Sequence, residues 1–284
     1  MKKRILKITA FVFAIALIVG VCVFANALVG NPISKAMATN TAEKHLEENF
    51  ADKDFEIERV TFSFKDGYYH AFIYSPSSID SDFTILVDMW GKLRYDTYED
   101  RVLSGGNTAD RISRDYRAVV DKVLDSQAFP YNEHIGYGDF DFYPRVHLEE
   151  YSVPEYALIT EDLTLDAFYD VNELGAKHGK LTIYIDDDTV SYERLSEILL
   201  DIRRIFDDSG VKFYVIDCVL EYQKNEDSSK KQEGRVEVRE FLYADIYEEG
   251  MVERVKASDE AANAYYDEQD AEKFKYSSYV KQDL

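Results

Sequence analysis

The sequence predicts an α+β protein, an N-terminal transmembrane helix followed by two small α+β domains. Three observations predict this. The N-terminal apolar run is long enough to cross a bilayer, strand-like alternation recurs in two separated blocks, and amphipathic helical stretches flank each block.

The chain opens with Lys2, Lys3, Arg4 and Lys7 ahead of an almost unbroken apolar run from Ile8 to Val29. About 22 residues at roughly 1.5 Å each suffice for a hydrocarbon core. The basic flank keeps the N-terminus cytoplasmic under the positive-inside rule. Residues 1–30 are thus expected to be a cytoplasmic flank and anchor of a single-pass protein of the cell membrane with an extracytoplasmic bulk. Ala25-Asn26-Ala27 supports a competing reading, a cleaved signal peptide, but the apolar run exceeds an ordinary signal core. Cys22 follows the bulky Val21, which argues against a lipoprotein.

Next, residues 31–127 are expected to form a helix packed on an antiparallel meander. Ile33, Ala36, Met37, Leu46 and Phe50 form a helical stripe. Three strand-like runs follow, FEIERVTFSF, YYHAFIYS and FTILVDMW, the first two joined through Asp66-Gly67, a tight-turn pair. Gly105-Gly106 breaks the chain, Asn107 is a candidate cap, and Ile112, Tyr116, Val119, Val120, Val123 and Leu124 give a second helix its apolar face.

Residues 128–154 hold three prolines, two glycines and many aromatics, and read as an irregular aromatic connector. Residues 155–257 are expected to be an αβαββ sandwich. Its parts are a helix near LTLDAFYDVNELGAKHG with Thr164 as cap and Gly179 as stop, the strand LTIYIDD, an amphipathic helix from Ser191 to Phe206, the buried strand VKFYVIDCVLEY, and a last strand across the charged loop 223–235. Residues 258–284 read as a polar C-terminal tail forming one exposed helix.

NPISKAMATNTAEKHLEENF after the apolar run, Ser75-Pro76-Ser77-Ser78, and the stretch Tyr95-Asp96-Thr97-Tyr98-Glu99-Asp100-Arg101-Val102-Leu103-Ser104-Gly105 resemble the YfjL-like family of Gram-positive bacterial membrane-anchored proteins. The resemblance implies an N-terminal anchor and two small α+β domains, and it carries over no catalytic residue.

The formal net charge is −22, and setting aside the four basic residues of the flank leaves −26. Such a balance opposes nucleic acid and other polyanions as partners and leaves cationic partners open. Cys218 is the one cysteine beyond the apolar run, so no intrachain disulfide is expected and burial must supply stability.

Asp186, Asp187 and Asp188 at a strand end are candidate carboxylate ligands, with Asp186 and Asp188 the candidate metal residues. An EF-hand read from Asp186 fails, because Val190 and Ser191 hold the fifth and sixth positions. A helix start is the plainer reading, with Ser191 or Asp188 as cap. The five histidines show no zinc spacing. The 22 tyrosines suggest contact surfaces, and Phe140, Phe142 and Tyr143 form the candidate binding patch.

No catalytic residue and no cofactor is assigned. The expected function is a non-enzymatic module that binds an envelope protein or peptide at the cell envelope. Two alternatives stay open, an envelope hydrolase using paired aspartates among Asp139, Asp141 and Asp186–Asp188, and a divalent-ion sensor.

Overall fold

The computed structural model describes residues 2–150, 152–222 and 234–280. The chain divides into two compact units. One holds residues 1–108 with 163–167, the other 109–162 with 168–284. The sequence places its domain boundary in the connector at 128–154, whereas the units part inside the helix Gly106–Leu124.

Helix α1 (Lys2–Val29) carries the apolar run. Among the described residues, no helix is long and apolar enough to cross a membrane. This corrects the expected transmembrane anchor, and with it the single-pass localisation.

In the first unit, α2 (Pro32–Asn49) packs on an antiparallel sheet of order β1-β2-β3-β4: β1 (Glu56–Ser63), β2 (Tyr68–Ser75), β3 (Ser78–Val87) and β4 (Leu93–Asp96). Helix α2 starts where its sequence permits. The Asn31 side chain caps the Ser34 amide at 2.8 Å, and Pro32 sits where no amide is needed. The helix turns Ser34, Ala38 and Ala42 inward and leaves Ile33 and Met37 exposed. The expected stripe is thus rotated in its first half, because small residues let the helix lie close on the sheet, while Leu46 and Phe50 pack against the core as expected. Beneath it, Tyr69, Ala71 and Ile73 alternate into the core with Phe83, Ile85 and Val87. Phe50, Phe55, Phe83 and Tyr98 pack edge to face at one end. Within this unit Asp166, at φ 59°, accepts from the Ile79 and Asp80 amides and the Ser78 hydroxyl.

The second unit is built on a sheet of order β10-β9-β8-β5: β5 (Asn132–Phe140), β8 (Gly179–Asp187), β9 (Val215–Tyr222) and β10 (Arg235–Leu242). Strands β8 and β9 are parallel and joined through α6 (Tyr192–Ser209), as the periodicity predicts, and β10 returns antiparallel to β9. Loop residues 223–233 of that return lie outside the described residues. Leu195, Ile198, Leu199, Ile202, Ile205 and Phe206 of α6 are buried, as their spacing requires. Gly210 ends the helix at φ 76°.

Strand β5 replaces part of the expected irregular connector, and its glycines show why it was hard to read. A Cβ on Gly136 would stand 2.8 Å from Leu124 Cδ1, and one on Gly138 2.5 Å from Val120 Cγ2. Both glycines let α3 (Gly106–Leu124) lie against β5. Short β6 (Phe142–Tyr143) and β7 (Leu158–Ile159) pair parallel beyond it, with α4 (His147–Glu150) between them. Helix α5 (Val171–His178) follows, capped by Asp170 rather than Thr164.

Helix α7 (Met251–Val280) borders β10. The Asp259 carboxylate accepts the Glu237 amide at 2.8 Å, so an edge strand that would otherwise expose its amides is covered. The structure describes side chains of this helix to Tyr266.

Candidate functional site

Alternation gives the second sheet two unlike faces. Leu181, Ile183, Ile185, Ile216, Cys218 and Leu220 fill one and are buried. Burial pushes the Cys218 thiol up to about 12, which leaves it inert. Register puts Lys180, Thr182, Tyr184 and Asp186 of β8 on the other face, beside Asp217, Val219 and Glu221 of β9.

A line of alternating charges crosses this polar face. Lys180 Nζ lies 3.8 Å from Asp141 and 3.3 Å from Asp217. Arg239 reaches Asp217 at 3.6 Å and Glu237 at 3.1 Å, and Arg235 pairs with Glu237 from the other side. Burial works against the Lys180 charge, yet Asp217 and Asp141 hold its pKa above the ordinary lysine value. Arg239 is likewise held up by Glu237 and Asp217 against the cost of burial. Glu237 is fully buried, and its Oε1 has no hydrogen-bond partner.

A bulge in β10 shapes the centre. Val238 pairs with Cys218 and Phe241 with Ile216, so Arg239 and Glu240 together oppose Asp217. Glu240 sits at φ 45°, a strained value for a residue with a side chain. Two bonds hold it there. Its amide donates to Asp217 Oδ1 at 2.6 Å, and its Oε1 accepts from the Tyr156 hydroxyl at 2.9 Å.

Two adjoining hollows share Lys180, Asp217 and Arg239. One, about 370 Å³, runs over Tyr137, Thr182 and Tyr184 toward β5. The other, about 620 Å³, reaches Pro154, Ser258, Ala262, Tyr265 and Tyr266. Together they make a groove walled by tyrosines and floored by paired charges.

At the far end of the same face a second bulge turns His134 outward. Glu133 pairs with Ile185 and Ile135 with Tyr184, which leaves His134 unpaired in the ladder. Asp186 and Glu221 are register neighbours on β8 and β9. His134 Nδ1 lies 3.3 Å from Asp186 Oδ1, and Nε2 lies 3.4 Å from Glu221 Oε1.

The acidic triplet separates into three environments. Asp186 joins His134 and Glu221. Asp187 takes the Thr189 amide and the Arg194 guanidinium, at 2.9 and 2.8 Å. These bonds hold its carboxyl below the usual range although burial opposes them. Asp188 is exposed in the turn, apart from the His134 group. Ser191 caps α6, its hydroxyl accepting from the Arg194 amide at 3.1 Å.

Of the predicted aromatic patch, Phe140 is buried and packs 4.5 Å from the Tyr116 ring, while Phe142 and Tyr143 are half-buried. Asp139 is engaged by Ser113 and Arg117, and Asp141 by Tyr156. Asp139 stands opposite Lys180 at one end of β8 and Asp186 stands at the other, about 20 Å away at the strand rise. Asp139 and Asp186 therefore do not converge, whereas Asp139 and Asp141 line the same hollow.

Sequence reasoning missed Lys180, Asp217, Arg239, His134 and Glu221 as neighbours. The signal was available in part, since polar residues at alternate positions of β8 and β9 mark one face as unlike a buried core.

No solved structure and no curated protein shows a significant match to the chain. Two family models do match, the YfjL-like N-terminal domain over residues 5–102 and the YfjL-like C-terminal domain over residues 115–256. The chain belongs to the YfjL-like family.

Proposed function

We propose that this protein is a non-enzymatic binding module whose second unit takes a lysine- or arginine-bearing peptide segment of a protein partner in the groove on its polar sheet face. The observation that carries the reading is the groove itself. It is lined by Asp139, Asp141, Asp217 and Glu240 against Lys180 and Arg239, so carboxylates outnumber cations, and its walls are tyrosine rings. Ring faces attract cations, and tyrosine supplies broad contact area at low entropic cost. The net charge of −22 favours the same class of partner.

The strained Glu240 supports the groove as the site, since strain is retained where neighbouring bonds enforce it. A hydrolytic pair is less well supported, because the candidate aspartates are spread along the strand or tied to serine, arginine and tyrosine.

The test is a displayed peptide library panned on the full chain. Enriched peptides should carry Lys or Arg, and Asp217→Asn or Tyr184→Ala should lose their capture. Enrichment that both variants leave unchanged would sink the assignment to this groove.

A further inference from the structure

We propose that His134, Asp186 and Glu221 form a binding site for a divalent first-row transition-metal ion, with zinc the probe of choice. Each residue offers one ligand atom, and these atoms all lie within 4.8 Å of one another. Metal bonds of roughly 2.0–2.2 Å to nitrogen and oxygen set tetrahedral ligand separations of about 3.3–3.6 Å, so the side chains close in slightly on the ion. Only one imidazole nitrogen can bind the ion: the 3.3 Å pair of Nδ1 with Asp186 Oδ1 falls near the edge of a tetrahedron around it, whereas the 3.4 Å pair of Nε2 with Glu221 Oε1 uses the other nitrogen.

Three independent features of the sheet point the same way. The β5 bulge inserts His134 as an extra residue and aims it at the neighbouring strands, a use to which bulges near sites are put. Parallel register sets Asp186 beside Glu221 without any loop to position them. Asp186 Oδ1 is shut off from solvent and makes no hydrogen bond, and it stands 3.3 Å from His134 Nδ1.

Donor chemistry selects the ion. An imidazole with two carboxylates suits zinc, manganese or iron, whereas calcium and magnesium favour oxygen alone. Three protein ligands leave a fourth position for water or for a group on a ligand. Access is open, because His134 keeps a third of its side chain exposed and a hollow of about 540 Å³ lined by Tyr131, Asn132 and Asp188 reaches Asp186. The competing structural role is His134 paired directly with the two carboxylates, which needs no metal.

The experiment is calorimetric titration of the full chain with zinc chloride, with magnesium chloride as control, on the native protein and on His134→Ala, Glu221→Gln and Asp188→Asn. We expect saturable zinc binding at one site, weakened about tenfold or more in His134→Ala and Glu221→Gln and unchanged in Asp188→Asn. Circular dichroism without metal establishes that each variant is folded, and Asp186→Asn replaces any that is not. The absence of saturable zinc binding would overturn the proposal, as would zinc binding equally tight in the His134, Glu221 and Asp186 variants. Magnesium binding as tight as zinc would overturn the choice of ion class.

Discussion

Asp187 shows how a single carboxylate of the acidic triplet is used. It accepts the Thr189 amide and holds Arg194, so it joins the end of β8 to the first turn of α6. Its folded pKa lies below the ordinary 3.8, so its contribution to stability is present above about pH 4 and is lost as the pH falls through the lower folded value. Asp187→Asn should therefore lower the thermal midpoint at pH 7, and the gap to the native protein should close as the pH falls through the folded value, below the ordinary 3.8. Melting curves across that range check this. Ser191→Ala, which removes the cap on α6, should cost about 1 kcal/mol in denaturant unfolding. The cap and the helix start were legible in the sequence, because a serine ahead of an apolar periodic stretch is a local signal. The partners of Asp186 were not, because Glu221 and His134 are brought in by strands distant in the chain.

Helix α6 and strands β8, β9 and β10 follow directly from periodicity, since each has one consistent apolar face. Strand β5 does not. Its alternation is hidden because the positions facing α3 are Gly136 and Gly138 rather than apolar side chains, and the helix fills the space a side chain would take. Gly138→Ala should consequently cost about 1–3 kcal/mol, because the added carbon meets Val120 at 2.5 Å. Unfolding at equilibrium measures it. A loss under half a kcal/mol would mean that α3 and β5 separate easily. Helix α2 offers the complementary lesson. Its large apolar residues suggested the buried stripe, but Ala38 and Ala42 lie against the sheet while Ile33 stays exposed. Hydrophobicity alone ranks Ile above Ala, and close approach of helix to sheet reverses that order.

Each of the two units carries its own sheet, and the two-part α+β organisation was readable from the two blocks of alternation. The N-terminal run was read by length and hydropathy as an anchor, and that reading is corrected by the absence, among the described residues, of a helix long and apolar enough to span a bilayer. Both candidate sites lie on one face of the second sheet, each beside a bulge, and neither is announced by a sequence motif. Charge placement on that face makes peptide binding electrostatic in part, so affinity should fall as salt rises from about 50 mM to 500 mM. The most direct measurement is a chemical-shift titration of the labelled full chain with a peptide recovered by panning. The account predicts shifts concentrated at Tyr137, Lys180 to Tyr184, Asp217, Arg239, Glu240 and Ser258 to Tyr266. Shifts confined to the sheet of residues 56–96, or none at saturating peptide, would contradict it.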